Sequence, residues 1–220
     1  RDCQAKLAMK VPADAGAAII VNSGNSNAFT GKVGDEAVAA VTGGVAEALG
    51  IPASRVFSSS TGVIGEPLPY DRITAKIPSL VAELQEAAID MAAQAIMTTD
   101  TFPKGSAATI EGEGGVINIA GIAKGSGMIA PDMATMLVYI FTDAKISQAN
   151  LQKLVSRNVD ATFNSITVDS DTSTSDTLLV AATGKSAPAE LKGATLKAFE
   201  AALKGVMMDL AHQVIRDGEG

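Results

Sequence analysis

Cysteine and histidine occur only once each in this 220-residue chain, and their scarcity excludes two kinds of protein. A single cysteine, Cys3, cannot form a disulfide within the chain, and one cysteine with one histidine provides too few ligands for a typical structural zinc site. The histidine, His212, lies in a helical pattern and is interpreted as a packed or surface residue. A reducing compartment, the cytoplasm, is the expected location.

Clusters of positive charge and long apolar runs are missing too. The formal net charge is −7, and no segment is rich in Lys and Arg, so nucleic acid and anionic membranes are not expected partners. No segment approaches the roughly twenty apolar residues that span a bilayer, and the amino end lacks a signal-peptide pattern. A small polar metabolite fits this composition better.

Aromatic residues make up only 4% of the chain, although 47% of its residues are hydrophobic. The core is therefore expected to consist mainly of Ala, Val, Ile, Leu and Met, in a chain long enough to bury one. No polar linker or repeat divides the sequence, so residues 1–220 are interpreted as one domain. Because the chain begins at Arg1 and stops in a loop-like segment, 216–220, we expect a fragment of a longer precursor.

Short apolar runs and helical spacings follow one another in mixed order, which predicts a mixed α/β fold. Strands are predicted at 17–21, 55–59, 135–141 and 177–182, with a hairpin of 107–111 and 115–123 around a turn at 113–114. A Gly-punctuated loop is predicted at 60–65. Helices are predicted at 35–49 capped by Asp35, at 71–97 as two helices or one helix bent at Pro78, at 146–159 and at 189–215.

The segment 124–137, KGSGMIAPDMATML, is a Gly- and Pro-rich loop that leads directly into an apolar strand, with Thr135 at the junction. If the Ala134–Thr135 bond were cut, Thr135 would carry a free α-amine within reach of its own hydroxyl. A threonine hydroxyl is a weak nucleophile, and an α-amine with a pKa of about 7.7–8.0 is a suitable base for it. The residues alone also allow a simpler interpretation, in which Thr135 merely begins a buried strand.

Segment 124–137 resembles the cleavage-site signature of the ornithine acetyltransferase (glutamate N-acetyltransferase) family, whose members cut themselves before the threonine of MATML. Asp132 stands where the family usually has Asn, a near-isosteric replacement. Within another match, Ser170 and Ser175 stand where Gly and Asn are expected. The further matches follow the family's order along nearly the whole chain: 21–25, 60–65, 97–101, 169–176 and 216–220.

The resemblance implies a layered α-β-β-α sandwich and a ping-pong reaction in arginine biosynthesis. In that reaction Thr135 takes acetyl from N2-acetylornithine, releases ornithine, and passes the acetyl group to glutamate through an acetyl ester. Cleavage between Ala134 and Thr135 would make residues 1–134 the end of an α chain and 135–220 the start of a β chain, assembled as an α2β2 heterotetramer. No cofactor or metal is implied, and acetyl-CoA is an additional candidate substrate.

Thr61 and Gly62 match the family's oxyanion pair. The acetyl oxygen becomes negative during attack and needs preplaced donors, and a glycine lets the backbone approach the substrate closely. The residues alone fit a plain strand-to-helix turn equally well.

Lys124, Thr98 and Glu219 match the family's substrate contacts. Lys124 suits a substrate carboxylate, Glu219 suits the ammonium group of ornithine, and Thr98, or its neighbour Thr99, suits the substrate backbone. Without the resemblance, the three would be interpreted as a solvated loop charge, a helix-end residue and an exposed acid.

Three alternatives stay open from sequence. Asp169, Asp171 and Asp176 suggest either a divalent-cation site or a hydrogen-bonded loop. The same threonine chemistry with water as acceptor would make the protein an N-terminal-nucleophile aminopeptidase. A non-catalytic nucleotide-binding module would use 112–115 and 124–127, although neither segment has the spacing of a phosphate-binding loop.

Overall fold

The computed structural model describes residues 2–7, 9, 16–127, 136–169, 173 and 175–218, and it separates the chain into two units, residues 1–88 and 89–220. Each unit contains a β-sheet with helices packed against it. The predicted mixed α/β class is therefore confirmed. The interpretation of residues 1–220 as a single domain stays a prediction.

Unit 1 is built around a parallel β-α-β motif. Its two strands pair from Ala18 with Val56 to Asn25 with Val63, and the helix between them makes the crossover that parallel neighbours require. The elements are α1 (Asp2–Leu7), β1 (Ala18–Asn25), α2 (Gly31–Leu49), β2 (Val56–Val63), α3 (Tyr70–Thr74) and α4 (Ile77–Ala82). The buried core between them includes Val45, Ala46, Val56 and Ile77.

Two elements of unit 1 differ from their predicted bounds. Helix α2 begins at Gly31 rather than at Asp35, and no side chain caps its first turn. Gly31 has a φ of 57°, so a left-handed residue turns the chain into the helix. Strand β2 continues through 60–63, which were predicted as loop, because its pairing with β1 extends to Val63.

Gly62 keeps the two strands of unit 1 close at their carboxyl ends. Its φ is +127°, and a β-carbon at this position would lie 2.3 Å from the carbonyl carbon of Gly24 on β1. A residue with a side chain would force the strands apart. The glycine therefore lets β2 stay paired on both sides of Thr61.

Unit 2 contains a four-stranded sheet in the order β3-β4-β5-β6. The first two pairs are antiparallel and the last is parallel. The elements are α5 (Ile89–Ala95), β3 (Lys104–Gly112), β4 (Gly115–Lys124), β5 (Leu137–Thr142), α6 (Gln148–Val159), β6 (Thr177–Ala182) and α7 (Gly193–Arg216).

The core of unit 2 lies between this sheet and its helices. Alternate side chains of β4 and β5 point to one face, where α6 and α7 cover them. Gly121 lets α7 approach closely, because a β-carbon there would lie 2.9 Å from Leu210 Cδ1. The fully or nearly fully buried members include Ile117, Ile119, Val138, Ile140, Leu154, Leu203, Met207 and Leu210.

The predicted hairpin is confirmed, with its turn at 113–114, and so is the strand at 177–182. The helix predicted at 71–97 is three short helices, α3, α4 and α5. Pro78 lies in the first turn of α4, where its missing N–H is not needed. In the part of the chain that the structure describes, no helix is both long and apolar enough to cross a membrane.

Candidate active site

Thr61 lies near the carboxyl end of β2 and is completely buried. Its hydroxyl oxygen has no hydrogen-bond partner among the described residues. A buried hydroxyl left unpaired costs about 1–3 kcal/mol, so such groups are uncommon in the interior of a protein. Together with the close backbone at Gly62, this makes the end of β2 a candidate position for a ligand oxygen.

The carboxyl end of β1 and the residue after it are tied to the end of β2 by polar contacts. Ser60 Oγ donates to Asn22 Oδ1 at 2.6 Å, and Asn22 Nδ2 donates to the carbonyl of Asn25 at 2.7 Å. The amide of Ser26 donates to the carbonyl of Val63 at 2.9 Å. These contacts hold the end of β1 beside the Thr61–Gly62 segment of β2.

Lys124 is the last residue of β4, and only 3% of it is exposed. Its ammonium donates to Thr98 Oγ1 at 2.8 Å and lies 3.3 Å from Asp100 Oδ2. The interpretation of Lys124 as a solvated loop charge is therefore wrong. Thr99 makes a different contact, a 2.7 Å hydrogen bond between its hydroxyl and that of Ser126, so Thr98 is the threonine paired with Lys124.

Asp100 organises this end of β4 and was not singled out from the sequence. Its side chain is fully buried, and Oδ1 accepts from Lys104 Nζ at 2.7 Å and from the Gly125 amide at 2.6 Å. Oδ2 accepts from the Thr98 amide at 3.1 Å. One carboxylate thereby joins the loop that carries Thr98 to the ends of two strands.

The charge network continues from Asp100 to the end of α7. Lys104 Nζ lies 2.5 Å from Asp217 Oδ2, and Asp217 accepts from both the amide and the hydroxyl of Thr101. Two lysines and two aspartates, Lys104, Lys124, Asp100 and Asp217, form a buried cluster of balanced charge. Burial of ions is tolerated when they are paired and hydrogen-bonded in this way.

Burial, hydrogen bonds and neighbouring charges shift the pKa of Asp100, Lys124 and Asp217. Burial acts to raise the pKa of Asp100, but the hydrogen bonds from Lys104 and Gly125 and the charge of Lys124 outweigh it and lower that pKa. Burial lowers the pKa of Lys124, and the charge of Asp100 only partly opposes it. Burial also acts to raise the pKa of Asp217, and the hydrogen bonds from Lys104 and Thr101 bring it below its ordinary value.

Asp176 lies immediately before β6, and its Oδ1 accepts a hydrogen bond from the Met136 amide at 2.9 Å. Burial raises its pKa to about 7, and the hydrogen bonds from Met136 and Ser173 and the charge of Lys124 oppose this only in part. Asp176 is thus one of the acids considered for a metal site, but it serves here as an acceptor for the main chain. No cluster of metal-ligating side chains occurs in the described parts of the chain.

Several residues predicted from the sequence lie outside the described residues, namely Ala134, Thr135 and Glu219, together with Asp132, Ser170 and Asp171. Of the predicted site residues that are described, Thr61 and Gly62 belong to unit 1, and Thr98 and Lys124 belong to unit 2. His212 is exposed on α7, in agreement with a surface role.

The fold and these side chains define a class: an α/β protein with a buried lysine beside a threonine at one strand end, and an unpaired buried hydroxyl at another. Comparison with known families narrows this class. Residues 3–220 match the ArgJ family, and the chain belongs to that family. The resemblance inferred from the motifs is confirmed.

Curated relatives support this assignment. The chain is 60% identical over 219 residues to the arginine biosynthesis bifunctional protein ArgJ of Ruegeria pomeroyi, a match that covers 100% of this chain and 52% of the relative. It is 51% identical over 224 residues to the protein of the same name from Nitrobacter winogradskyi, covering 99% of this chain and 54% of the relative. The chain thus spans about half the length of these relatives.

A solved structure agrees with the fold. The crystal structure of the arginine biosynthesis bifunctional protein from Bacillus halodurans is 38% identical, with a TM-score of 0.52. The match covers 61% of this chain and 68% of that one. The mixed α/β class is therefore shared with an experimentally determined member of the family.

Proposed function

We propose that the chain is part of an acetyltransferase that moves acetyl from N2-acetylornithine to glutamate in arginine biosynthesis, with Thr135 as nucleophile. Membership of the ArgJ family, whose relatives are named as arginine-biosynthesis proteins, supports the pathway. The observation that carries the proposal is the buried Lys124 beside Thr98, eleven residues before Thr135, on the segment that bears the family's cleavage signature.

Thr135 becomes a nucleophile through self-cleavage in this proposal. Its hydroxyl attacks the carbonyl carbon of Ala134, the C–N bond breaks with a proton passing to the nitrogen, and water hydrolyses the resulting ester. The products are a new carboxylate on Ala134 and a free α-amine on Thr135. That amine then serves as the base for the threonine hydroxyl.

In the transfer reaction, the Thr135 hydroxyl attacks the acetyl carbonyl and passes its proton to the α-amine. The negative charge on the carbonyl oxygen is stabilised by Thr61 and Gly62, and the unpartnered Thr61 hydroxyl suits this role because it has a donor to give. Ornithine leaves as its amine takes the proton, and the acetyl ester remains on Thr135. Glutamate's amine then attacks that ester and gives up a proton to the Thr135 α-amine. The bond between the acetyl carbon and the threonine oxygen breaks as that proton returns to the oxygen, so N-acetylglutamate leaves and the Thr135 hydroxyl is restored.

Lys124 holds the carboxylate of either amino acid in this scheme. An ammonium has three N–H donors, and Thr98 and Asp100 take two of them among the described residues, which leaves one for the substrate. Because Lys124 is buried, its attraction for a carboxylate is screened less than it would be in water. Glu219 is proposed to pair with the side-chain ammonium of ornithine.

We propose four further properties of the family for the protein that contains this chain. They are a cytoplasmic location, an α2β2 heterotetramer of cleaved chains, catalysis without a cofactor or metal, and acetyl-CoA as an additional acetyl donor. The chemical steps above do not depend on the location, on the assembly or on acetyl-CoA, and they use no cofactor or metal.

The test uses the complete natural polypeptide that contains this chain, incubated with N-acetylornithine and glutamate. We expect N-acetylglutamate and ornithine in equal amounts by mass spectrometry, and an intact, inactive precursor from the Thr135→Ala variant. Release of free acetate or amino acids without N-acetylglutamate would show an aminopeptidase-like hydrolase instead. Two fragments from Thr135→Ala would refute Thr135 as the cleaving residue.

A further inference from the structure

Met136 is held from both sides by Asp176, just before β6, and by Thr177, the first residue of β6. Its amide donates to Asp176 Oδ1 at 2.9 Å, and its carbonyl accepts from the Thr177 amide at 3.0 Å. The residue after it, Leu137, is in register with Thr177. Residue 136 is therefore fixed before the strand itself begins.

The contact between Met136 and Asp176 differs from the backbone hydrogen bonds that pair β5 with its neighbouring strands. It comes from a side chain, and it acts on the N–H of the peptide bond that joins positions 135 and 136. A peptide unit is planar, so a side chain that binds this N–H acts on the unit that links residue 136 to position 135. The carboxyl group thus acts one peptide unit away from the candidate nucleophile.

The carboxyl group of Asp176 is itself held in place. The Ser173 side chain hydrogen-bonds it, and Ser173 is almost completely buried. The Ser173 hydroxyl also accepts from the Ser175 amide at 3.1 Å, which closes a tight turn just before β6. A side chain supported in this way transmits a fixed position to the Met136 amide.

We propose that Asp176 is a positioning residue for the nucleophile: through the Met136 amide it fixes the peptide unit that follows Thr135, for self-cleavage and for transfer. This inference rests on the proposed function of Thr135. Misplacement of a reacting group by about 1 Å costs on the order of 10²-fold in rate, so the loss of this anchor has a large expected effect. Asp176 itself exchanges no proton with the substrate in this proposal.

The test compares Asp176→Ala and Asp176→Asn in the complete polypeptide. The Asn carbonyl oxygen still accepts from the Met136 amide, and the Ser173 hydroxyl is able to turn and accept from its NH₂ group. We expect Asp176→Ala to lower kcat for transfer by at least about ten-fold with KM changed less than two-fold, and to slow self-cleavage similarly. We expect Asp176→Asn to stay within about three-fold of the wild type.

Asp143→Ala provides a matched control at the other end of β5. The Asp143 carboxylate also accepts from a main-chain amide at 2.9 Å, that of Asn118, in a more exposed position. Removing it perturbs the same strand without touching residue 136. We expect Asp143→Ala to leave kcat within two-fold, with thermal unfolding recorded for each variant.

Three results would overturn the inference. They are wild-type rates in Asp176→Ala, equal loss of kcat in Asp143→Ala, or loss in Asp176→Asn as large as in Asp176→Ala. Should Asp176→Ala fail to fold, Asp176→Glu displaces the carboxylate by one methylene, and wild-type kcat in that variant would equally overturn it. Thr135→Ala separates this question from the proposed function, since cleavage in that variant refutes the function whatever the Asp176 variants do.

Discussion

Thr61 and Lys124 are both buried polar residues at the carboxyl end of a strand, yet their surroundings are opposite. The Thr61 hydroxyl has no partner among the described residues, whereas Lys124 is held by Thr98 and Asp100. An unpaired neutral donor costs about 1–3 kcal/mol, but an unpaired buried charge costs several kcal/mol more. A buried hydroxyl can therefore stay unpaired until a ligand binds. A buried ammonium group needs hydrogen-bond and ion-pair partners both with and without the ligand.

The largest effect predicted from this comparison is on stability, from Asp100→Ala. The change leaves Lys104 and Lys124 without their shared counter-charge, and we expect the free energy of unfolding to fall by about 3–5 kcal/mol. Urea denaturation of the complete polypeptide measures this.

The control for Asp100→Ala is Glu200→Ala, which removes the partner of Arg157 in an ion pair of 3.3 Å whose arginine side chain is 63% exposed. An exposed pair contributes about 0–1 kcal/mol, so this change should be small. Equal losses in the two variants would mean that the buried network has no special role in stability.

The next effect in size is a pH dependence that comes from Asp176. Because burial raises its pKa to about 7, the folded protein binds this proton more tightly than the unfolded chain does. The contribution of the Asp176 proton to the free energy of unfolding is thus complete at pH values below the ordinary aspartate pKa of about 4. This contribution is lost as the pH rises towards about 7. The nearby cation of Lys124 and the hydrogen bonds from Met136 and Ser173 limit the cost of the charged form.

Asp176→Asn removes that titration. We expect its thermal midpoint to rise relative to the wild type as pH increases from 5 to about 8, by a few degrees, at about 2–4 °C per kcal/mol. Scanning calorimetry across this range checks it. A constant difference between the two proteins over the range would contradict the raised pKa.

The smallest expected change in stability is that of Thr61→Val, which replaces an unpartnered hydroxyl by a methyl group. The free energy of unfolding should change by less than about 1 kcal/mol, because no described hydrogen bond is lost. The rate of acetyl transfer should nevertheless fall about 10²-fold if the hydroxyl stabilises the oxyanion.

Thr142→Val is the matched change at a partnered threonine. The Thr142 hydroxyl donates to the Asn118 carbonyl at 2.7 Å and accepts from the Ala144 amide at 3.2 Å. We expect this variant to lose about 1–3 kcal/mol of stability and to keep its transfer rate. The reverse pattern, with stability lost at Thr61 and activity lost at Thr142, would remove Thr61 from the candidate site.

Local patterns predicted the local parts of the fold. The hairpin turn at 113–114 and the strand at 177–182 follow from alternation and turn residues that lie next to each other in the chain. Segment 60–63 was predicted as loop because its Ser, Thr and Gly resemble a turn. Its pairing partner, β1, lies 38 residues earlier and decides its structure.

The candidate site shows the same limit. Thr98 and Lys124 were matched through the family resemblance, and the structure shows that their side chains touch. Asp100 and Asp217 were missed, because nothing in the sequence indicates that Lys104 contacts an acid 113 residues away. The link from Asp176 to Met136 likewise spans 40 residues and leaves no periodic pattern to detect.

The most direct test of the central claim is the mass of the fragments after incubation with N-acetylornithine in the absence of glutamate. The account predicts a chain that begins at Thr135 and carries one acetyl group on that residue, lost when glutamate is added. An uncut polypeptide, or an acetyl group on any other residue, would contradict it.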